Sequence, residues 1–218
     1  MARTDWDVRW RTESQSEYWR TPAPSVMRFI ETCRPGEGKR ALDLGTGIGR
    51  HALAIAENGF HVLALDESQT AIDTLRNTAK ERGLSIDTMV SDYFQANLAP
   101  DSFDIIVAYN VIYHGDYGFF LRSVDLCGRI LRKGGQLFFT CPTRRDGKYG
   151  SGEKVAEHTY RSQNSLHPGD VHYFADEETL RSVLDGFEIV SLDRVEHDWD
   201  HDGVIQFSSN WEVIAQKK

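Results

Sequence analysis

The sequence predicts an α/β fold: a doubly wound, seven-stranded, mostly parallel sheet ending in an antiparallel C-terminal hairpin. Two observations carry that expectation. Apolar, β-branched runs alternate with amphipathic stretches through residues 41–141, which is the rhythm of βαβ units with right-handed crossovers. Two long strand-like runs then follow at 186–197 and 203–216 with only a short polar stretch between them, the pattern of a hairpin at a sheet edge.

Taken in order, the first 26 residues hold Trp6, Trp10, Tyr18 and Trp19 in a polar background. An isolated tail gains nothing from such rings, so residues 1–26 are read as an arm or lid over the domain built by 27–218. In that domain ALDL (41–44), HVLALD (61–66), DTMV (87–90), FDIIVAY (103–109) and QLFFTC (136–141) read as strands. Helices are expected at 50–58, at 69–82 with Ser68 as N-cap, and at 119–131, where Lys133, Gly134 and Gly135 stop the last of them. Residues 142–170 are polar and rich in Arg, Gly, Ser and His, too long for a plain connection, and are read as a functional loop that could close over a substrate. Asp176 caps a short helix through Leu184 before the hairpin begins.

Composition narrows the partners. A length of 218 residues fits one domain with an appendage rather than two full domains. With 25 basic against 33 acidic residues the net charge is −8, which lacks the footprint for nucleic acid or anionic membranes. No stretch approaches the roughly 18 apolar residues of a membrane span, and MARTDWDVRW lacks the core of a signal peptide. Cys33, Cys127 and Cys141 are an odd count without metal-type spacing and read as reduced thiols. A cytoplasmic protein with a small-molecule partner is the expectation.

The chemistry concentrates at Asp43-Leu44-Gly45-Thr46-Gly47-Ile48-Gly49, where the first strand turns into the first helix. Glycines there bring the backbone close to a ligand. A dinucleotide turn would carry its third glycine at the position filled by Arg50; here it comes one residue early. A carboxylate at Asp43 would repel a pyrophosphate yet could hold an ammonium group, directly or through water, which favours an amino-acid-bearing nucleotide. Asp66 ends the second strand, 21 residues after Gly45, where an acid accepts both ribose hydroxyls. Ser91, Asp92 and Tyr93 follow the third strand, and Asn110 ends the fourth. These strand ends converge on the crevice where open α/β sheets bind ligands.

At these residues the chain resembles the class I S-adenosylmethionine-dependent methyltransferases, strongly over about 41–141 and more loosely in the final hairpin. GRHALAIAENGFHVLALD and SFDIIVAYNVIYH are similar to the small-molecule branch that includes tellurite-resistance-type methyltransferases. The resemblance implies a Rossmann-like sheet, S-adenosyl-L-methionine as cofactor, and methyl transfer to a small-molecule acceptor. It also implies roles by position. Asp43, Gly45, Thr46 and Gly47 cradle the methionine part, Asp66 and Glu67 hold the ribose, Ser91, Asp92 and Tyr93 receive adenine, and Asn110 and Val111 face the methyl group.

In-line displacement at a sulfonium carbon needs alignment above all, with a base only for a protonated nucleophile. Tyr113 and His114, just beyond Asn110, are placed to reach the methyl group, and His172 precedes the capped helix; these three are the candidate catalytic residues. Arg144, Arg145, Lys148, Tyr149, Arg161 and His167 in the insert, with His172 and Tyr173 past it, form a local cluster that would suit a small anion or stand as solvated charges. No metal is expected: His158, His167, His172, His197 and His201 lack the paired spacing of a zinc site. The run Asp198-Trp199-Asp200-His201-Asp202-Gly203 opens like a calcium loop, but Ser209 stands where the bidentate Glu belongs, so it reads as a hairpin turn. Two rival functions are a macromolecular methyltransferase acting on RNA or protein and a non-catalytic S-adenosylmethionine-binding protein. Against the first, Asn110-Val111-Ile112-Tyr113 lacks the Asn-Pro-Pro-aromatic signature of base methylation.

Overall fold

The computed structural model describes residues 6–13, 17–33, 38–163, 169–201 and 204–218. In chain order the elements are α1 (Trp6–Glu13), α2 (Glu17–Arg20), α3 (Pro24–Thr32), β1 (Arg40–Leu44), α4 (Arg50–Glu57), β2 (His61–Asp66), α5 (Gln69–Glu81), β3 (Asp87–Val90), β4 (Phe103–Ala108), α6 (Tyr117–Ile130) and β5 (Leu131–Pro142). They continue with β6 (Glu153–Ala156), β7 (Thr159–Arg161), β8 (Val171–Tyr173), α7 (Glu177–Val183), β9 (Phe187–His201) and β10 (Val204–Lys217).

Seven strands form one sheet in the order β3-β2-β1-β4-β5-β10-β9. The first five are mutually parallel, and β10 runs antiparallel to both β5 and β9, so the expected mostly parallel α/β fold is what forms. The chain steps outward from β1 to β3, then returns to place β4 on the other side of β1. That reversal opens a crevice at the carboxyl ends of β1 and β4.

Side-chain alternation explains why both sheet faces are covered. Ala41, Ile105, Val107 and Phe138 point to one core shared with Val26, Phe29, Ile30 and Ile55 of α3 and α4. Leu42, Ile106, Leu137 and Phe139 point to the opposite core with Phe120, Val124 and Ile130 of α6. Short polar caps start the helices: Ser68 Oγ accepts from Ala71 N at 3.1 Å, Asp116 from Phe119 N at 2.8 Å, and Asp176 from Thr179 N at 2.9 Å. The Asp116 cap begins α6 at Tyr117, two residues before the expected 119.

Three regions depart from the sequence expectation. The insert contains structure of its own: β6, β7 and β8 pair antiparallel into a second, three-stranded sheet. Its short polar strands lack the apolar alternation that marks a strand in sequence. β5 starts at Leu131 rather than at 136, because α6 passes straight into an extended Leu131. The C-terminal ladder pairs His201 with Val204, so both strands run into the residues read as a turn; residues 202 and 203 of that turn lie outside the described ones.

The N-terminal helices pack on the mouth of the crevice. Asp7 Oδ1 accepts from Ser68 Oγ and from Thr70 N, each at 2.8 Å, capping α5 from outside. These donors, the Thr70 amide foremost, hold the Asp7 carboxyl well below the usual carboxylate range. Arg50 Nη1 donates to Tyr18 O at 2.8 Å, with its guanidinium over the rings of Tyr18, Trp19 and Tyr109. Among the described residues no helix is long and apolar enough to cross a membrane.

Candidate active site

The crevice holds a cavity of about 1060 Å³. Gly45, Thr46, Gly47, Asp66, Glu67, Ser91, Asp92, Tyr93, Asn110 and Val111 all line it, as do Tyr113, His114 and His172. Residues 45 to 114 of this set meet because they follow β1 to β4, whose carboxyl ends lie at one edge of the main sheet, whereas His172 is brought in by β8 of the second sheet. Asp43 does not line the cavity. It is 2% exposed and sits behind the turn, where its Oδ2 accepts from Thr46 Oγ1 at 2.6 Å and from Ala52 N at 2.9 Å. Its contribution is to fix the loop shape and the start of α4, not to meet an ammonium group directly.

The turn itself is built for close approach. Gly45 and Gly47 adopt φ of +64° and +54°, and a Cβ at either would stand 2.5 Å from Val111 or Trp10. Asp66 bridges the turn to the next one: Oδ2 accepts from Gly47 N at 2.8 Å and Oδ1 from Ser68 N at 2.9 Å. Asp92 Oδ1 accepts from Phe94 N at 2.9 Å, holding the loop after β3. Asn110 sits at φ +59°, its N–H donating to Thr140 Oγ1 at 2.8 Å and its Oδ1 accepting from the same hydroxyl at 3.0 Å. Beside the turn, the indole Nε1 of Trp10 is buried with no hydrogen-bond partner. A buried donor in that state costs about 1–3 kcal/mol until an acceptor arrives. The glycine cradle, the orphan donor and the carboxylate at Asp66 together suit an adenosyl group carrying an amino acid.

Burial shapes the protonation here. It pushes Asp43 up to about 7 and raises Asp66 as well, while the Thr46 and Ala52 donors work in the opposite sense on Asp43. A carboxyl raised in the folded state holds its proton after the unfolded chain has lost it, so its contribution to stability is full below the ordinary value of 3.8 and is lost as pH rises towards 7. The thermal midpoint of the wild type is therefore expected to fall more steeply from pH 5 to 8 than that of Asp43→Asn. Parallel profiles in scanning calorimetry would show that Asp43 ionises freely.

At the far end of the cavity lie aromatic and imidazole rings. His114 stacks on Tyr113 at 4.7 Å between ring centroids and meets Trp6 and His172 edge-on at 5.0 and 4.8 Å. Its Nε2 lies 3.0 Å from Asn110 O. A carbonyl only accepts, so Nε2 carries the hydrogen and Nδ1 presents a lone pair; Nδ1 is buried without a partner. Burial pushes the imidazole down to about 4, which keeps it neutral. Burial likewise raises Tyr113 well above the ordinary phenol value.

The cationic cluster in and around the insert does not assemble. Arg144 pairs with Asp176, Arg145 with Glu196 at 3.1 Å, and Arg161 with Glu153 at 2.9 Å. Tyr149 bonds His158 Nδ1 at 2.8 Å, and Tyr173 is buried between Tyr117 and Phe120. Only Lys148 and His172 of that set line the cavity, and His167 lies outside the described residues. The sequence reading had also passed over Arg9 and Asp170. They form an ion pair at 3.0 Å that is almost closed to solvent, 11% and 4% exposed, and ties α1 to the insert. Nothing in their local sequence marks them, since the contact spans 161 positions.

Residues 41–135 match the family described as methyltransferase domain. A ubiquinone biosynthesis O-methyltransferase of Coxiella burnetii (strain Dugway 5J108-111) is 27% identical over 166 residues, covering 72% of this chain and 70% of that protein. The protein of the same description from Thiobacillus denitrificans is 32% identical over 127 residues, covering 58% of this chain and 54% of its own length. Among solved structures, TehB from Haemophilus influenzae superposes with a TM-score of 0.70 at 18% identity, covering 98% of this chain and 67% of that one. A structure described under conversion of a disulfide bond into a thioacetal group during echinomycin biosynthesis gives 0.74 at 21% identity, covering 98% and 92%. At those identities the structural likeness is one of fold.

Proposed function

We propose that this chain, a class I S-adenosylmethionine-dependent methyltransferase, methylates a hydroxyl oxygen of a small, ring-bearing molecule. The observation that carries this reading is the continuity of the cavity, which runs from the glycine turn and Asp66 to the Tyr113, His114 and His172 rings without a break. Asp66 and Glu67 take the ribose, and Asp92 with Ser91 and Tyr93 takes adenine. Gly45, Thr46 and Gly47 would hold the amino-acid end, and the buried, unpartnered Trp10 indole N–H would be available to a carboxylate there. Asn110 and Val111 stand beside the reacting centre. Bound there, S-adenosylmethionine supplies an electrophilic methyl carbon on a positively charged sulfur.

The chain aligns the acceptor oxygen with that carbon and excludes water, effects that in favourable cases supply about 7–11 kcal/mol of barrier lowering. Trp6, Tyr113 and His172 offer ring faces and edges for a planar acceptor. The O-methyltransferase descriptions of the relatives support oxygen as the methylated atom. A cavity walled by the N-terminal helices and the insert, on a chain of net charge −8, supports a small acceptor over nucleic acid. The free thiols of Cys33, Cys127 and Cys141 fit a cytoplasmic setting.

With S-adenosylmethionine and a panel of phenols, catechols, hydroxybenzoates, thiols and amines, S-adenosylhomocysteine release is expected with the hydroxylated rings. His114→Ala is expected to lower kcat by about 100-fold, the size of effect that misplacing an acceptor produces, with S-adenosylhomocysteine affinity little changed. Methyl label confined to high-molecular-weight material in lysate would turn the assignment to a macromolecular acceptor. Cofactor binding with no turnover across the panel would leave a binding protein.

A further inference from the structure

We propose that His114, Asp170 and His172 bind a divalent transition-metal ion at the acceptor end of the cavity, a role that rests on the methyl-transfer reading above. One donor atom from each of the three lies within 4.8 Å of the other two, the one such group among the described residues. Two imidazoles and one carboxylate form a donor set that takes zinc, iron, cobalt, nickel or manganese rather than the all-oxygen set of magnesium or calcium.

Three further observations point to an ion. The lone pair of His114 Nδ1 is buried and unpartnered, so the atom that would ligate is already deprotonated and faces no competing donor. The opposite nitrogen donates to Asn110 O at 3.0 Å, and a ligating histidine is commonly held by such a bond from its other nitrogen to a carbonyl. Asp170 and His172 are set two residues apart on a small sheet: Asp170 O accepts from Ser162 N at 2.9 Å, and β8 places the His172 ring 5.3 Å from Tyr113 and 4.8 Å from His114. Arg9 pairs with Asp170 Oδ2 at 3.0 Å; a carboxylate has two oxygens and can serve a guanidinium and an ion together. Bonds of about 2.1 Å place tetrahedral donors roughly 3.4 Å apart, so each donor would close by less than about 1 Å.

Three protein ligands leave a coordination position for the acceptor hydroxyl. Bound to the ion, that hydroxyl loses its proton to solvent near neutral pH. The resulting oxyanion forms the new O–C bond as the S–C bond breaks, and the electron pair left on sulfur cancels the sulfonium charge.

Cobalt chloride titrated into chelator-treated, full-length protein tests the site directly, read by visible d–d absorption and by equilibrium dialysis. Saturation at one equivalent is expected, with affinity falling at least about 100-fold in both His172→Ala and Asp170→Asn, because each removes a ligand. S-Adenosylhomocysteine binding by calorimetry on the same samples checks that the variants are folded. Absence of cobalt binding, or an equivalent retained in both variants, overturns the site. If S-adenosylhomocysteine still binds in that case, only the ion falls; if neither binds, the methyl-transfer reading falls with it.

Discussion

Gly49→Ala is expected to lower the thermal midpoint by roughly 4–20 °C. Gly49 precedes α4 at φ +88°, where a side chain costs about 1–2 kcal/mol of backbone strain. Its Cβ would also stand 2.2 Å from Cδ1 of Leu75, a residue with no exposure, and forcing a methyl into a filled core costs about 1–3 kcal/mol more. For a chain of this size each kcal/mol moves the midpoint by about 2–4 °C. Gly38 provides the internal comparison. It has φ +81°, but a Cβ there meets nothing within 4 Å, so Gly38→Ala should carry the backbone part alone. Equal shifts in the two variants, measured by scanning calorimetry, would show that Leu75 yields and that the turn is not pinned by packing.

Asp66→Ala is expected to weaken S-adenosylhomocysteine binding by at least about 30-fold, which corresponds to about 2 kcal/mol and falls within the range for hydrogen bonds to a charged group. The side chain does two jobs. It faces the cavity, where it would accept from ribose hydroxyls, and it accepts the amides of Gly47 and Ser68, which keeps the glycine turn in register with the loop after β2. Loss of the carboxylate therefore removes a ligand contact and leaves two buried donors unpaired. Calorimetric titration at pH 7.5 reads the affinity, and a melt on the same sample reads the structural part. An affinity within threefold of wild type would take the ribose away from Asp66.

The residues proposed for the nucleotide were legible in sequence as one cavity-lining set because their signals are local. DLGTGIG, Asp66 and Asp92 each follow a strand whose apolar run is easily seen, and parallel topology carries their ends to one edge. Asp43 shows the limit of that reasoning: its position was read correctly, but only coordinates reveal that the carboxylate is spent on Thr46 and Ala52. The acceptor half was far less legible. Arg144, Arg145 and Arg161 look available in sequence, and each has an acidic partner in space. The nearness of His114 and His172 has no local signal either, since they are 58 residues apart and are brought together by the pairing of Tyr173 N with Tyr113 O at 2.9 Å. The second sheet escaped notice because its strands are three or four residues long and mostly polar.

That second sheet separates two kinds of evolutionary freedom. Nucleotide recognition is anchored in the main framework, where a change at β1 or β2 disturbs both cores. Asp170 and His172 belong to a small appendage tied to the rest of the chain by contacts that include Tyr173 N to Tyr113 O and the Arg9–Asp170 ion pair. On the proposed reading, substitutions within 153–163 and 169–173 are expected to change which guest is methylated while cofactor affinity stays fixed, and exchanging those residues between homologues tests that expectation.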